Sequence, residues 1–208
     1  MVKINTINTD SVLDKETLRQ QLRLRRTSLT LTQQQQAQKQ LAAIVCTLPA
    51  FNNSHHIALY IANDGEINPA DIALEARRQN KVCYLPVIDK PNKMDMFFLP
   101  FELNTTMRNN QYGIPEPILT DSPVCQAKDL DLILVPLTGF DLQGRRMGMG
   151  GGYYDRALAF KRSSDTKKTV VIGLAHECQK VKTLPVSDWD ISLDGIASDL
   201  KFYNCCTP

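Results

Sequence analysis

The sequence predicts one α/β domain with a mainly parallel sheet, and three observations support this prediction. Strand-like apolar runs alternate along the chain with segments of helical periodicity. The strongest run, LDLILVPL at residues 130–137, is apolar on both parities, which is typical of a strand buried on both faces. The chain has 208 residues, of which 43% are hydrophobic, enough for one sizeable core. Residues 1–208 contain no internal repeat or linker, so we expect a single domain whose termini, residues 1–13 and 203–208, are mobile.

The composition limits the compartment and the partners. The formal net charge of +2 is too small to indicate binding to nucleic acid or to a membrane surface. No apolar run approaches the roughly 18 residues of a membrane span. The N-terminus lacks the apolar segment of a secretory signal. We therefore expect a cytoplasmic protein. We also expect it to be a monomer. The six cysteines and three histidines lack metal-ligand spacing and indicate neither a metal centre nor a disulfide framework.

Two helices are predicted near the N-terminus. Asp14 is expected to cap the first, KETLRQQLRLRRTSL, which carries a stripe of leucines. Its other face carries basic residues at spacings of four, four and three: Lys15, Arg19, Arg23 and Arg26. On pattern alone, this face is predicted to be solvated. Thr32 and Gln35 have the spacing of a capping box for the second helix, QQQQAQKQLAAIVCTL.

Further strands and helices are predicted along the rest of the chain. A β-rich run at residues 56–62 ends in the turn NDGEINP, and Pro69 suits the first turn of the helix PADIALEARRQ. Residues 81–88 and 94–100 are predicted strands, and residues 101–128 a loop with short elements. Beyond the buried strand at 130–137, YYDRALAF has helical character and KKTVVIGLA is predicted to be another buried strand.

The stretch GRRMGMGGGYYDRA, residues 144–157, lies between a buried strand and a helix, where open α/β sheets bind ligands. Its glycines let a ligand approach the main chain, and the successive N–H groups of such a loop bind anions. These glycines are Gly148, Gly150, Gly151 and Gly152. Arg145 and Arg146 match phosphate oxygens, and Asp155 is placed to hold Mg²⁺ against phosphates. The stretch therefore predicts a polyphosphate site.

Two common phosphate motifs do not fit this stretch. A Walker A loop needs Lys and then Ser or Thr after its last glycine, where this chain has Tyr153, and a dinucleotide fingerprint needs a glycine at that position. The alternative is a glycine-rich turn with a helix-capping acid. Two arginines, two tyrosines and one aspartate beside the glycines favour the ligand site.

The longer stretch LILVPLTGFDLQGRRMGMGGGYYDRAL resembles the signature of the 5-formyltetrahydrofolate cyclo-ligase (methenyltetrahydrofolate synthetase) family. The residues in register are Pro136, Phe140, Asp141, Gly144, Arg146, Gly148, Gly150, Gly152, Tyr153, Tyr154 and Asp155. Met147 stands where leucine is common. Weaker matches occur elsewhere in the family's order, at Lys15, Leu18, Arg19, Glu66, Ile67, Gly113, Ile114, Glu116, Pro117, Gln179, Pro185, Asp190 and Asp194.

The resemblance implies a three-layer α/β/α Rossmann-like sandwich and a set of site residues. For ATP it implies Lys15, Arg19, Arg145, Arg146, Met147, Gly148, Met149, Gly150, Gly151, Gly152, Tyr153 and Tyr154. For the folate it implies Ile61, Glu66, Met149, Gly150, Gly151, Gly152 and Tyr153. Asp155 and Asp190 are the implied Mg²⁺ ligands. Arg146, Tyr153 and Glu66 are the implied catalytic residues.

The implied reaction converts 5-formyltetrahydrofolate and ATP into 5,10-methenyltetrahydrofolate, ADP and phosphate. It would proceed by phosphorylation of the formyl oxygen and attack by N10, with Glu66 orienting the pterin or N10 side. Phosphoryl transfer depends mostly on positioning and charge stabilisation, which the basic residues and loop N–H groups are suited to supply. Two alternatives remain: a paralogue that acts on another heterocycle with ATP, and a nucleotide-sensing module without turnover. Glu66 and the C-terminal acids weigh against the sensor.

Overall fold

The computed structural model of the chain describes residues 14–88, 96–119, 123–162, 169–185 and 190–205. Its helices are α1 (Lys15–Thr27), α2 (Leu31–Val45), α3 (Pro49–Asn52), α4 (Ala70–Arg78) and α5 (Tyr153–Ala157). Its strands are β1 (His56–Ala58), β2 (Val82–Ile88), β3 (Met96–Pro100), β4 (Met107–Asn109), β5 (Pro115–Pro117), β6 (Leu132–Pro136), β7 (Gly139–Phe140), β8 (Arg146–Met147), β9 (Val170–Leu174), β10 (Gly195–Ala197) and β11 (Phe202–Asn204). Short 3₁₀ helices cover Ala127–Asp129, Ala159–Arg162 and Glu177–Gln179. No helix in these ranges is long and apolar enough to span a bilayer.

Seven strands form the main sheet, in the order β11-β10-β9-β6-β1-β2-β3. The five inner strands are parallel to one another, and the edge strands β3 and β11 are antiparallel to their neighbours. The predicted, mainly parallel sheet is therefore confirmed. From β1 the chain extends the sheet in one direction through β2 and in the other through β6, so the strand order reverses between β1 and β6. Such a reversal leaves a crevice at the carboxyl ends of the strands.

Helices and short elements cover both faces of the sheet, which confirms the α/β/α layering. On β6, Leu132 and Leu134 pack in the core beneath α2, α3 and α4. Ile133 and Val135 point to the opposite core, with Phe140 and residues of the α5 segment. This alternation explains why the run at 130–137 is apolar on both parities. A third, small cluster holds α1 against β8 and consists of Leu18, Leu22, Met147 and Leu184.

The N-terminal helices form where predicted, but their caps differ. Asp14 occupies the cap position of α1 without a side-chain hydrogen bond. The capping box of α2 is formed by Thr30 and Gln33, with Gln33 N–H donating to Thr30 Oγ1 at 3.3 Å and Thr30 N–H to Gln33 Oε1 at 2.8 Å. The prediction of Thr32 and Gln35 was wrong because the sequence offers the same Thr-x-x-Gln spacing twice, and the helix begins at the first.

Several elements are shorter or more numerous than predicted. The β-rich run at 56–62 pairs as β1 only over His56–Ala58. The segment 101–128 contains the antiparallel ribbon β4–β5. Tyr203 and Asn204, expected in a mobile tail, pair with β10 as part of β11. Residues 1–13 and 206–208 lie outside the described residues.

Candidate active site

A cavity of about 990 Å³ opens at the carboxyl ends of β1, β2 and β6. The reversal of strand order places the segment after β1 beside the segment after β6, and the glycine stretch then closes one side. Ligand pockets of this kind reach about 1,000 Å³. The predicted site residues that line it are Lys15, Arg19, Ile61, Glu66, Arg146, Met147, Gly148, Met149, Gly150, Gly151, Gly152, Tyr153, Tyr154, Asp155 and Asp190. Arg145 is not among its lining residues.

The glycine loop leaves β8 and enters α5 through two left-handed residues. Gly150 has φ +94° and Gly152 has φ +65°, values that L side chains rarely adopt. A Cβ at Gly151 would lie 2.8 Å from the Tyr153 ring. The loop backbone thus requires glycine, and the main chain can approach a ligand closely.

The N-terminal half of α1 places two cations beside this loop. Arg19 donates from Nε to the carbonyl oxygen of Gly148 at 3.0 Å. Its side chain is 18% exposed, and Lys15 lines the same cavity. The prediction of a solvated basic face is therefore wrong for this part of α1.

Arg146 lies inside the cavity and binds a predicted metal ligand. Its guanidinium forms an ion pair with Asp155 and donates to the carbonyl oxygen of Ile191. Burial lowers the pKa of Arg146, while the carboxylates of Asp155 and Asp190 act in the opposite direction. Arg145 instead contacts Asp141, with 3.2 Å between Nε and Oδ2.

Glu66 stands at the other side of the cavity, after a tight turn. Asp64 and Gly65 both have positive φ, and a Cβ at Gly65 would lie 3.2 Å from the Thr27 backbone of α1. Glu66 Oε2 accepts from Asn63 N–H at 3.1 Å. Burial raises the pKa of Glu66 to about 7, against the lowering effect of Arg26.

Arg26 is a cavity residue that our sequence analysis did not select. Its side chain is fully buried, and its guanidinium binds the Asp64 turn and the end of β6. The sequence did contain a signal that Arg26 is buried, because this residue lies four positions after Leu22 on the buried stripe of α1. The leucine stripe and the basic face therefore overlap at Arg26.

An aromatic pair forms at the mouth of the cavity. The hydroxyls of Tyr112 and Tyr153 are 3.0 Å apart, and the rings meet edge to face with centroids 6.3 Å apart. Gln111 Nε2 donates to the Tyr153 hydroxyl at 3.2 Å, and Arg156 Cζ lies 5.1 Å from the Tyr153 ring centroid. Tyr154 lies deeper, and burial raises its pKa. The sequence analysis placed Tyr112 only within the predicted loop at residues 101–128.

Buried Glu116 fixes the ribbon that carries Tyr112. Its carboxyl accepts from Ile88 N–H at 3.3 Å and from Arg108 Nε at 3.4 Å. The first bond joins β5 to the end of β2, and the second joins β5 to β4. The remaining acid of the resemblance, Asp194, forms an ion pair with Lys161 and accepts from Val171 N–H at 2.7 Å, away from the residues that line the cavity.

The two predicted Mg²⁺ ligands, Asp155 and Asp190, are carboxylates that line the cavity. Across the described ranges, no three His, Cys, Asp or Glu side chains form a cluster that could hold an ion. Mg²⁺ in nucleotide sites commonly takes only one or two carboxylates, together with phosphate oxygens and water. Asp155 and Asp190, which line the cavity and act on the same arginine, match that requirement.

Comparison with known proteins identifies similar chains. The model of the 5-formyltetrahydrofolate cyclo-ligase family matches residues 12–199. The Haemophilus influenzae 5-formyltetrahydrofolate cyclo-ligase is 37% identical over 179 residues, covering 86% of this chain and 94% of that protein. The Escherichia coli K12 protein of the same name is 35% identical over 182 residues, covering 88% and 98%. The solved structure of Aquifex aeolicus 5,10-methenyltetrahydrofolate synthetase superposes with a TM-score of 0.78 at 26% identity, covering 93% and 94%.

Proposed function

Because this chain belongs to the 5-formyltetrahydrofolate cyclo-ligase family of ATP-dependent ligases, we propose that it converts 5-formyltetrahydrofolate into 5,10-methenyltetrahydrofolate. ATP is consumed, and ADP and phosphate are released. One observation carries this proposal: both the glycine loop and Glu66 line a single cavity of about 990 Å³. A reaction between a nucleotide and a second substrate requires both in one enclosed space.

The chemistry explains why ATP is needed. An N-formyl carbon is a weak electrophile, and its oxygen is a poor leaving group. Transfer of the γ-phosphoryl group to that oxygen breaks the bond to ADP and leaves an iminium-like phosphate ester. N10 then attacks the formyl carbon, the C–O bond breaks, phosphate leaves, and N10 loses its proton. These steps need no protein nucleophile.

The phosphate side of the cavity is assigned to α1 and the glycine loop. Lys15, Arg19 and Arg146 supply positive charge, and the N–H groups of the loop can donate hydrogen bonds to the transferring phosphoryl group. Arg145 lies outside this group because its guanidinium pairs with Asp141. We therefore propose a structural role for Arg145 and a catalytic role for Arg146.

The folate side is assigned to Ile61, Glu66 and the tyrosines. A pKa of about 7 means that Glu66 is present both as acid and as carboxylate at neutral pH. It can therefore donate to a pterin nitrogen or carbonyl, or accept from a ring N–H. Tyr153 carries an aromatic face at the cavity mouth, where flat heterocycles stack.

Asp155 and Asp190 are proposed to hold Mg²⁺ with ATP. The ion, when bound, would neutralise charge on the phosphate oxygens. Asp155 pairs with Arg146, so this carboxylate also keeps the arginine directed into the phosphate side. We further propose that the protein acts as a monomer, since the residues assigned here to ATP, folate and Mg²⁺ all line one cavity.

Absorbance in the methenyl-folate band tests the proposal directly. Purified protein, 5-formyltetrahydrofolate and Mg·ATP should produce the band, and omission of any one component should abolish it.

Arg146→Ala should lower kcat by about 100-fold, the usual cost of removing a transition-state charge contact, while the protein still folds. Arg145→Ala is the matched control and should keep turnover per folded molecule. If the protein binds Mg·ATP but produces no methenyl-folate band, it either acts on another heterocyclic substrate or is a nucleotide-sensing module without turnover. Full turnover by Arg146→Ala would overturn its assignment.

A further inference from the structure

We propose that Arg26 is a positioning residue for ring closure, because its buried guanidinium fixes the turn that presents Glu66 to the folate side of the cavity. This inference rests on the proposed function, since it assigns a consequence for folate turnover. It also joins the two sides of the site through α1, the helix that carries Lys15 and Arg19 at its other end.

The contacts of Arg26 converge on one turn. Nε donates to the carbonyl oxygen of Asp64 at 2.8 Å, and Nη2 donates to its carboxylate at 2.8 Å. One planar guanidinium therefore grips both the main chain and the side chain of Asp64. Lysine cannot reproduce this fork. Asp64 has φ +52°, a conformation that is unfavourable for a residue with a Cβ. The fork therefore stabilises a turn that the local backbone does not favour by itself.

Arg26 also reaches the segment after β6 and the glycine loop. Nη1 donates to the carbonyl oxygen of Leu137 at 3.2 Å, and Nη2 lies 3.8 Å from Met149 Sδ. Leu137 follows β6 and Asp64 follows β1, so the guanidinium bridges the point at which the strand order reverses. A shift of Arg26 would change the distance between the glycine loop and Glu66.

The charge of Arg26 acts on Glu66 as well. Nη1 is 3.7 Å from Glu66 Oε1, close enough to attract the carboxylate. The other titratable groups that act on this carboxyl are Asp64 on its own turn, Tyr60 after β1 and Tyr154 on α5. Among these groups, Arg26 favours the ionised form of Glu66, and Asp64 opposes it.

Arg23 offers a matched comparison. It binds the same carboxylate, with Nε 2.8 Å from Asp64 Oδ2, but its side chain is 42% exposed and does not line the cavity. A purely structural tie from α1 to the turn should be weakened by loss of either arginine. A positioning role for the folate predicts that only Arg26 matters for that substrate.

The test compares Arg26→Lys with Arg23→Lys in steady-state kinetics, below the unfolding temperature of each variant. Arg26→Lys should lower kcat/KM for 5-formyltetrahydrofolate by about 10- to 100-fold, as expected for a displacement near 1 Å at a reacting centre. The KM for Mg·ATP should change less than about twofold. Arg23→Lys should keep both parameters within about twofold of the wild type.

A second variant covers the case in which Arg26→Lys does not fold. Asp64→Asn weakens the same fork from the more exposed partner and should lower folate kcat/KM in the same direction, again without a change in the KM for Mg·ATP. Equal effects of the Arg26 and Arg23 variants, or equal losses for both substrates, would overturn the positioning role while leaving the proposed function intact. Absence of methenyl product from the wild type would overturn the proposed function, and this inference with it.

Discussion

Replacement of Glu66 by glutamine should make the ligand-free protein more stable at high pH. The variant keeps the shape of the side chain and removes its ionisation. Burial raises the pKa of Glu66 from 4.5 to about 7, so the folded protein holds the proton over a pH range in which the unfolded chain has released it. Folding then binds a proton between about pH 4.5 and 7, and the stability contributed by the neutral form is lost as pH rises through that window.

The size of the effect follows from the shift. A rise in pKa from 4.5 to about 7 corresponds to about 3 kcal/mol in the free energy of unfolding. Solvent screens this effect little because the Glu66 side chain is only 13% exposed. At pH 8 the wild type carries the buried carboxylate, whereas Glu66→Gln resembles the protonated form. The variant should therefore be more stable by up to about 3 kcal/mol at pH 8 and nearly equal at pH 4.5. For a chain of this size the gain corresponds to about 6–12 °C in Tm.

Thermal unfolding of ligand-free wild type and variant between pH 4.5 and 8.5 measures this effect. Glu75→Gln on α4 is the control, because hydrogen bonds from Gln79 and the charge of Arg78 lower the pKa of Glu75. That variant should show no gain at high pH. Activity should move the other way, with Glu66→Gln losing about tenfold or more in folate kcat/KM. Parallel Tm curves for wild type and Glu66→Gln would show that burial does not hold the proton on Glu66.

Three further outcomes are expected. Gly150→Ala should lower the free energy of unfolding by about 1–2 kcal/mol in thermal melts, since φ is +94° there. Gly148→Ala, which meets no heavy atom within 4 Å, should leave it unchanged. Tyr112→Phe should bring the pKa of Tyr153 down towards its ordinary value, because the hydrogen bond between the Tyr112 and Tyr153 hydroxyls is the main cause of its rise. ¹³C-tyrosine NMR titration measures that pKa, and an unchanged pKa of Tyr153 in the variant would contradict the contact. Asp155→Asn should raise the Mg²⁺ concentration for half-maximal turnover about tenfold, and an identical Mg²⁺ titration curve would remove Asp155 from the metal site.

The glycine stretch and the buried strand before it could be predicted because their signals are local. A run that is apolar on both parities requires cover on both faces, and β6 has it. Clustered glycines indicate a backbone that is left-handed or that a ligand approaches closely. Gly150 and Gly152 both have left-handed backbone conformations. Such features depend on neighbours within a few residues, so one sequence suffices.

The different positions of Arg145 and Arg146 follow from the strand pairing of a short hairpin, which composition does not indicate. Arg146 pairs with Phe140 in the short hairpin β7–β8. Arg146 lines the cavity, whereas Arg145, which precedes β8, pairs with Asp141. The sequence analysis placed both arginines at the phosphates, and only the family resemblance distinguished Arg146 as catalytic, because this hairpin was not predicted.

Arg26 shows a different limit. A buried arginine needs partners for its donors, and those of Arg26 lie 38 residues away in the Asp64 turn and 111 residues away at Leu137. No periodicity within α1 encodes these partners. On the helix alone, a basic residue after two buried leucines is compatible with a solvated end. Arg26 is nevertheless buried, because the parallel sheet brings the ends of β1 and β6 together beneath α1.

The position of α1 gives the site its spacing. Leu18 and Leu22 hold the helix against Met147 and Leu184, so its two ends are fixed relative to the glycine loop. Arg19 contacts Gly148 near one end, and Arg26 grips the turn before Glu66 near the other. Seven residues of helix separate them, about 10 Å along the axis. A phosphoryl donor and a folate must meet with reacting atoms about 3 Å apart, and a rigid helix that touches both sides is a physical means of setting that separation. The sheet supplies the crevice. The apolar stripe of α1 fixes the position of the helix, and the helix in turn sets the distance between the glycine loop and the Glu66 turn.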